Sequence, residues 1–522
     1  MRLRHLPLLA MPLLASLAPT VTHAQSDDAH RARAFIAGLD YDDARKVLAD
    51  ADPDDPAVAT EKARLAIYEL DCDGAAAILA RPEVQKTESG EELGDIARGC
   101  QRVTAALAID KDEARGIELR WQDEHDRALA PLLEDTIAKA RDTLTKELGV
   151  DWPLPTRVVI VRDLLSLSAM TGLPYKSAQT TGTVAVAKWG RVTLLSPRAS
   201  PHGYSWRDTI THELTHLAVT RASGDRAPLW LQEGVAKREE TRWRDPGPFD
   251  DRPSPEAIVQ KGTELGLTLS LDKLGPSIAM LPSADAAMVA FAEVTSFVRF
   301  YARTAANPGA DDALPKLFAE LKEGKDPDQA LLAASGSDLQ GWDAKWKAWV
   351  ATRPRESLSA LFGLGGDHED QDKLRDLRDR SRLAELLMAR EHAPEAVMEL
   401  DRIELAGSPV AAEGWDRAMG DPGVRWLRAR ALEAAGRQKE GEGLLDDPKQ
   451  VLSSYGPWWA TRGRWARMKG DEPTATASFI EAVSADPFLP EAACESLVPG
   501  PTPSPLCEAA RQAAGTVEFG AD

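Results

Sequence analysis

A chain of 522 residues with 28% charged and 43% hydrophobic residues has the make-up of a folded globular protein and is long enough for two to four domains. Its formal charge of −20 at pH 7 sets the summed field against nucleic acid and against anionic membrane surfaces, so neither is expected as a partner. Past the leader no stretch supplies the about 20 clean apolar residues of a membrane span, so stable membrane insertion is not expected.

The amino terminus sets the expected compartment. Met1-Arg2-Leu3-Arg4-His5 is basic, Leu6 to Val21 is apolar though broken by Pro7, Pro12 and Pro19, and Thr22-His23-Ala24 has the small-residue form of a cleavage site. Residues 1–24 therefore read as a signal peptide, and the mature protein is expected in a periplasm or outside the cell. Gln25 stands where a lipoprotein would carry Cys, so no lipid anchor is expected. The four cysteines form two local groups, Cys72 with Cys100 and Cys494 with Cys507. Four cysteines allow three pairings; in an exported protein closure within each group is the simplest, and four buried thiols are the alternative.

Residues 25–104 read as short helix pairs. Apolar residues recur at three- and four-residue steps in Ala32–Leu39, Ala44–Leu48, Lys62–Tyr68 and Ala75–Leu79, with Asp52-Pro53-Asp54-Asp55-Pro56 as a break. This is the pattern of degenerate tetratricopeptide-like units. Residues 105–354 change character. Ala105–Ile109 and Gly116–Trp121 suggest strands, and a long helix from near Ala128 to Leu148 stops at Gly149. Arg157–Val161 is the clearest strand, and Thr183–Ala187 and Val192–Ser196 flank Lys188-Trp189-Gly190-Arg191 as a hairpin. Ser205 with Asp208 three residues on then has the form of a capping box, placing a helix start near Trp206. A Pro- and Asp-rich loop (245–255) and further helices follow. Residues 355–370 include the linker-like Gly363-Leu364-Gly365-Gly366, and 371–522 return to tetratricopeptide-like helix pairs. Such arms suit a protein partner. Their tryptophans, Trp426, Trp458, Trp459 and Trp465, are expected in helix packing.

The chemistry lies in the helix that begins near Trp206. His212 and His216 are four residues apart, so on a helix both imidazoles reach a single ion from one face. Zinc held by two His nitrogens needs a third protein ligand and keeps a further position open for water, and Glu233 is the candidate third ligand. Glu213, beside the first His, is then free to act as general base. One Zn2+ per chain is expected.

His212-Glu213-x-x-His216 followed by Pro228-Leu229-Trp230-Leu231-Gln232-Glu233-Gly234-Val235-Ala236 resembles the gluzincin metallopeptidases, most closely the bacterial peptidase MA-like domains. The resemblance extends to Ser296–Tyr301 and Gly324–Ala330 and covers roughly residues 105–354. It implies Glu233 as third zinc ligand and an α+β fold: a thermolysin-like core with a small mixed sheet, here flanked by helical-repeat arms. It also implies an edge strand able to pair with an extended peptide, expected at Val192–Ser196. The activity implied is zinc-dependent hydrolysis of peptides or proteins, as an endopeptidase. An exported repeat scaffold with a vestigial peptidase fold is the alternative.

The sequence also departs from the family. Thermolysin-like enzymes carry an Asp four residues after the ligand Glu, which orients a zinc His; here that position is Lys237, leaving Glu239 and Glu240 as candidates, with surface charge the plainer reading of both. No G-A-M-E-N segment precedes the helix, which argues against an aminopeptidase, and Ala222 argues against the metzincin pattern. Tyr301, Tyr204 and His202 are the candidate oxyanion stabilisers.

Overall fold

The computed structural model describes residues 27–200, 203–274, 277–306, 312–356, 368–405, 421–448, 451, 454–495 and 504–515. The leader at 1–24 and His202 lie outside them. Six helices come first among the described residues: α1 (Asp27–Ala37), α2 (Tyr41–Asp50), α3 (Pro56–Tyr68), α4 (Cys72–Leu79), α5 (Pro82–Gln85) and α6 (Gly90–Thr104). The acidic breaks are helix starts. Asp55 accepts from the Ala57 N–H, and Pro56 sits in the first turn, where its missing N–H leaves no helix bond unmade. A disulfide joins Cys72 on α4 to Cys100 on α6.

The central region builds one five-stranded sheet from β1 (Ala108–Asp112), β2 (Ile117–Trp121), β3 (Thr156–Val161), β4 (Ala185–Lys188) and β5 (Arg191–Leu195). Their order is β1-β2-β3-β5-β4, with β2, β3 and β5 parallel and the two outer strands antiparallel to their neighbours. The first strand starts three residues later than expected, because α6 runs on to Thr104. The expected edge also moves. Val192–Ser196 falls almost wholly in β5, which is interior, and the outer strand is β4. All five residues of β5 are buried, whereas β4 is buried only at Ala185, so the more apolar strand takes the position covered on both sides. The hairpin turns at Trp189 and Gly190, whose φ values of 57° and 67° are both positive, the requirement of a two-residue turn matched to strand twist.

The helices that go with this sheet are α7 (Ala130–Leu148), α8 (Leu164–Thr171), α9 (Tyr175–Thr181), α10 (Trp206–Ser223), α11 (Leu229–Glu239), α12 (Pro255–Glu264), α13 (Ala284–Ala305), α14 (Ala313–Lys322), α15 (Pro327–Ser335) and α16 (Leu339–Val350), with α8 and α10 against its strands. Helix α10 lies against α7, α11 and the β4–β5 hairpin. The capping box expected at its start does not form. The Ser205 side chain makes no cap bond, and Asp208 instead accepts from the Trp243 indole and the Arg244 guanidinium, a charge-assisted arrangement stronger than a backbone cap.

The carboxy-terminal arm is α17 (His368–Ala389), α18 (Ala393–Leu405), α19 (Pro422–Ala434), α20 (Gln438–Gly441), α21 (Gly456–Met468), α22 (Glu472–Ala485), α23 (Pro490–Ala493) and α24 (Pro505–Gly515). A second disulfide, Cys494–Cys507, ties the end of α23 to α24. The far end of this arm docks on the core: the Trp206 indole reaches the Val483 carbonyl at 3.5 Å, Phe249 meets Trp459 edge-to-face at 5.9 Å, and Arg198 lies 5.5 Å over the Phe488 ring. One apolar cluster accordingly runs from Ala29 to Ala510. No helix among the described residues is long and apolar enough to cross a membrane.

Arg191 fastens the opposite arm. It is fully buried, and its guanidinium donates to the carbonyls of Ile67 on α3 (2.7 Å), Met170 on α8 (3.2 Å) and Trp189 in the hairpin (3.4 Å). Loss of solvation lowers its pKa to about 9, so the side chain is still charged at neutral pH. Arg191→Ala removes the donor those carbonyls share, and urea denaturation should show a loss on the order of 3 kcal/mol, with α1–α6 the first segment opened to protease. Glu293 on α13 gives a pH test. It is 1% exposed and accepts from the Leu269 N–H, yet burial pushes its carboxyl up from 4.5 to about 7. A raised acid stabilises the fold fully below its unfolded pKa and loses that contribution as pH rises through the folded value. Glu293→Gln should therefore melt a few degrees above wild type at pH 8 and level with it near pH 4.

Candidate metal centre

On α10 the side chains of His212 and His216 stand one helical turn apart, with their Nε2 atoms 3.3 Å from each other. Glu233, from the first half of α11, brings Oε2 to 3.7 Å from each of those nitrogens. Three atoms at these separations share a point about 2.1 Å from all of them, which is the zinc–imidazole and zinc–carboxylate bond length. Two neutral nitrogens and one carboxylate oxygen also form the donor set of a catalytic zinc site with a position left open. Among the described residues these three form the one group of His, Cys, Asp or Glu arranged to hold a metal ion. Their side chains stay 15–16% exposed, so the cage is open to the cleft.

Packing holds Glu233 in place. The next residue, Gly234, faces α13 so closely that a Cβ there would lie 2.4 Å from Val298 Cγ2 and 2.6 Å from the Val294 carbonyl oxygen. Only glycine lets α13 press α11 toward α10 at this level. On the same side Trp230 and Phe297 meet edge-to-face at 5.2 Å, so Trp230 anchors the start of α11 in the core. The Trp-Leu-Gln-Glu-Gly run thus has a physical reading: an anchor, a ligand and a contact point.

Glu213 is 8% exposed and points to the sheet edge, where its Oε2 accepts from the Ala187 N–H of β4 at 2.5 Å. One carboxylate oxygen is thereby fixed, and the other is left to take up a proton.

Beyond the cage, Glu240 Oε2 lies 3.1 Å from His212 Nδ1. With Nε2 turned to the shared point, Nδ1 carries the proton and donates it to that carboxylate, which fixes both tautomer and ring plane. Lys237 in turn contacts both oxygens of Glu240 at 2.7 and 2.9 Å. Burial alone would raise the Glu240 carboxyl, but Lys237 and His212 outweigh it and hold it at about 2. Burial would likewise lower His212; the neighbouring carboxylates of Glu233, Glu240 and Glu213 prevail and raise it to about 10. Glu233 moves down, because the two imidazoles overcome its desolvation.

Of the two acids considered for the orienting role, Glu240 touches His212, whereas Glu239 pairs with Arg238 and Arg242. The Tyr204 hydroxyl donates to the Leu195 carbonyl, and burial, then the charges of Asp126 and Glu213, raise its pKa well above the usual tyrosine value. Tyr301 is fully buried with its ring 5.1 Å from Trp342, as a core residue would be. Two partners had no clear sequence signal. Glu240 follows Glu233 and Lys237 at helical spacing but looks like any surface charge, and Ala187 acts through its backbone. No curated protein and no solved structure matches the chain. Residues 140–352, from within α7 to just past α16 and including all three residues of the cage, match the family model of the Peptidase MA superfamily.

Proposed function

We propose that the protein is an exported, zinc-dependent metallopeptidase that cleaves internal peptide bonds of protein or peptide substrates. The observation that carries this reading is the set of three ligand atoms, from His212, His216 and Glu233, with a common point at zinc-bonding distance. A zinc ion held there supplies Lewis acidity, polarising a carbonyl and making water a better nucleophile near neutral pH. The remaining work falls to the chain's own groups. Glu213, steadied through Oε2 by Ala187, takes the proton of the attacking water on its free oxygen and passes it to the departing amine. Glu240 keeps the His212 ring in the plane the ligand set requires. Strand β4 is an outer strand whose Ala187 N–H meets Glu213, and an extended substrate pairing alongside it would run past the cage in both directions, which favours internal bonds over chain ends.

Export is supported by the basic and apolar leader and by two disulfides, which persist in oxidising compartments. The helical arms would serve to hold a protein partner or substrate.

Glu213→Gln should leave zinc content unchanged while lowering casein hydrolysis by about 10²–10⁴-fold. Unchanged hydrolysis would remove Glu213 from the chemistry, whereas a wild-type chain that binds zinc and hydrolyses nothing would favour a scaffold with a vestigial site. Glu240→Ala should weaken zinc affinity by about 10- to 100-fold in competition with a chromogenic chelator. An unaltered affinity would show that His212 needs no orienting carboxylate.

A further inference from the structure

Glu240 lies just past the last residue of α11. Its N–H still donates to the Ala236 carbonyl at 3.0 Å, but residues 240–243 form a turn and the helix does not continue. A helix end of this kind frays unless the chain beyond it is held. The carboxylate that meets His212 Nδ1 therefore depends on what anchors the segment downstream.

That anchor is Asp208, one helical turn before His212 on α10. Its Oδ1 accepts from the Trp243 indole and from Arg244 Nε, both at 2.9 Å, and its Oδ2 accepts from Arg244 Nη2 at 2.7 Å. Both oxygens of the carboxylate are thus committed to two consecutive residues of the departing segment. Burial would lower the Arg244 pKa, but the bonds to Asp208 and Asp250 overcome it and raise it, so the guanidinium keeps its charge. Trp243 is held from its face as well. The Arg207 guanidinium lies 4.6 Å over the ring and is itself fixed on α7 by Thr136 at 2.7 Å and Asp135 at 2.9 Å.

The contacts on the two segments have matched spacing. Asp208 and His212 share one face of α10, and their partners, Trp243 with Arg244 and then Glu240, are separated by a similar length of chain on the other side. A second tether near the turn is weaker: Arg242 reaches Glu147 on α7 with 42% of its side chain exposed, where water screens the pair. Lys237 steadies the Glu240 carboxylate but is carried on α11 itself, so it does not fix the helix end against α10. We infer that Asp208 is a positioning residue for the metal centre: it pins Trp243 and Arg244 and so keeps the Glu240 carboxylate in line with His212 Nδ1. This role presupposes the zinc cage proposed above.

The test is a double-mutant cycle on zinc affinity in the full mature chain, with Asp208→Asn made alone and together with Glu240→Ala and affinity read by competition with a chromogenic chelator. Asp208→Asn keeps the side-chain volume; it should weaken zinc binding about tenfold when Glu240 is present and cost nothing further once Glu240 is gone. Trp243→Phe, which keeps a ring under Arg207 and removes the indole N–H, should weaken binding about threefold with the same dependence on Glu240. Circular dichroism melts check the fold, and should Asp208→Asn not fold, Trp243→Phe carries the same cycle. An equal loss with and without Glu240 would make Asp208 a support of the fold alone and overturn the proposal. A wild-type chain with no zinc affinity removes the cage and the positioning role together, whereas a zinc-binding wild type with unchanged affinity in both variants removes the positioning role only.

Discussion

The approach of α11 to α10 is the constraint on which the rest depends. A carboxylate and two imidazoles from different segments must meet within a few ångströms, and buried polar groups at that range are tolerated only when each finds a partner. Gly234 permits the approach by admitting α13 at its back, and Trp230 secures the start of the helix. Lys237 and Glu240 then use the same face of α11 to fix His212. The proposed third ligand, the carboxylate beside His212 and its counter-charge thus come from one turn-by-turn stripe, and the packing that places Glu233 also places the groups that tune His212.

The sheet contributes through its edge. Because β5 is covered on both sides, the hairpin puts β4 outermost, and the backbone of β4 holds Glu213 along the edge that β5 does not pair. The arms belong to the same body. Arg191 draws carbonyls of α3 and α8 onto the hairpin, while Trp206, in the first turn of the metal helix, is covered by α22. Both arms therefore bear on the two elements that frame the cleft.

Local features were the most legible in the sequence. The His212–His216 spacing, the stop of α7 at Gly149 and the Trp189-Gly190 turn each depend on a few neighbouring residues, and the helical arms follow from repeated three- and four-residue steps. What depended on tertiary competition was less so. Ser205 and Asp208 had the form of a capping box, but Arg244 and Trp243, more than thirty residues away, claimed the carboxylate. The outer strand was misplaced because sheet order is not written in either strand alone; the burial contrast between Ala-Val-Ala-Lys and Val-Thr-Leu-Leu was the available clue. Glu240 read as a surface charge because its role exists only once α11 lies beside His212.

The central claim is a three-ligand cage for one zinc ion, and metal analysis of the purified mature protein beside Glu233→Ala tests it most directly. One zinc per wild-type chain, with the variant folded by circular dichroism but depleted of metal, is the expected result. Wild-type protein without zinc, or a variant retaining a full equivalent, would contradict it.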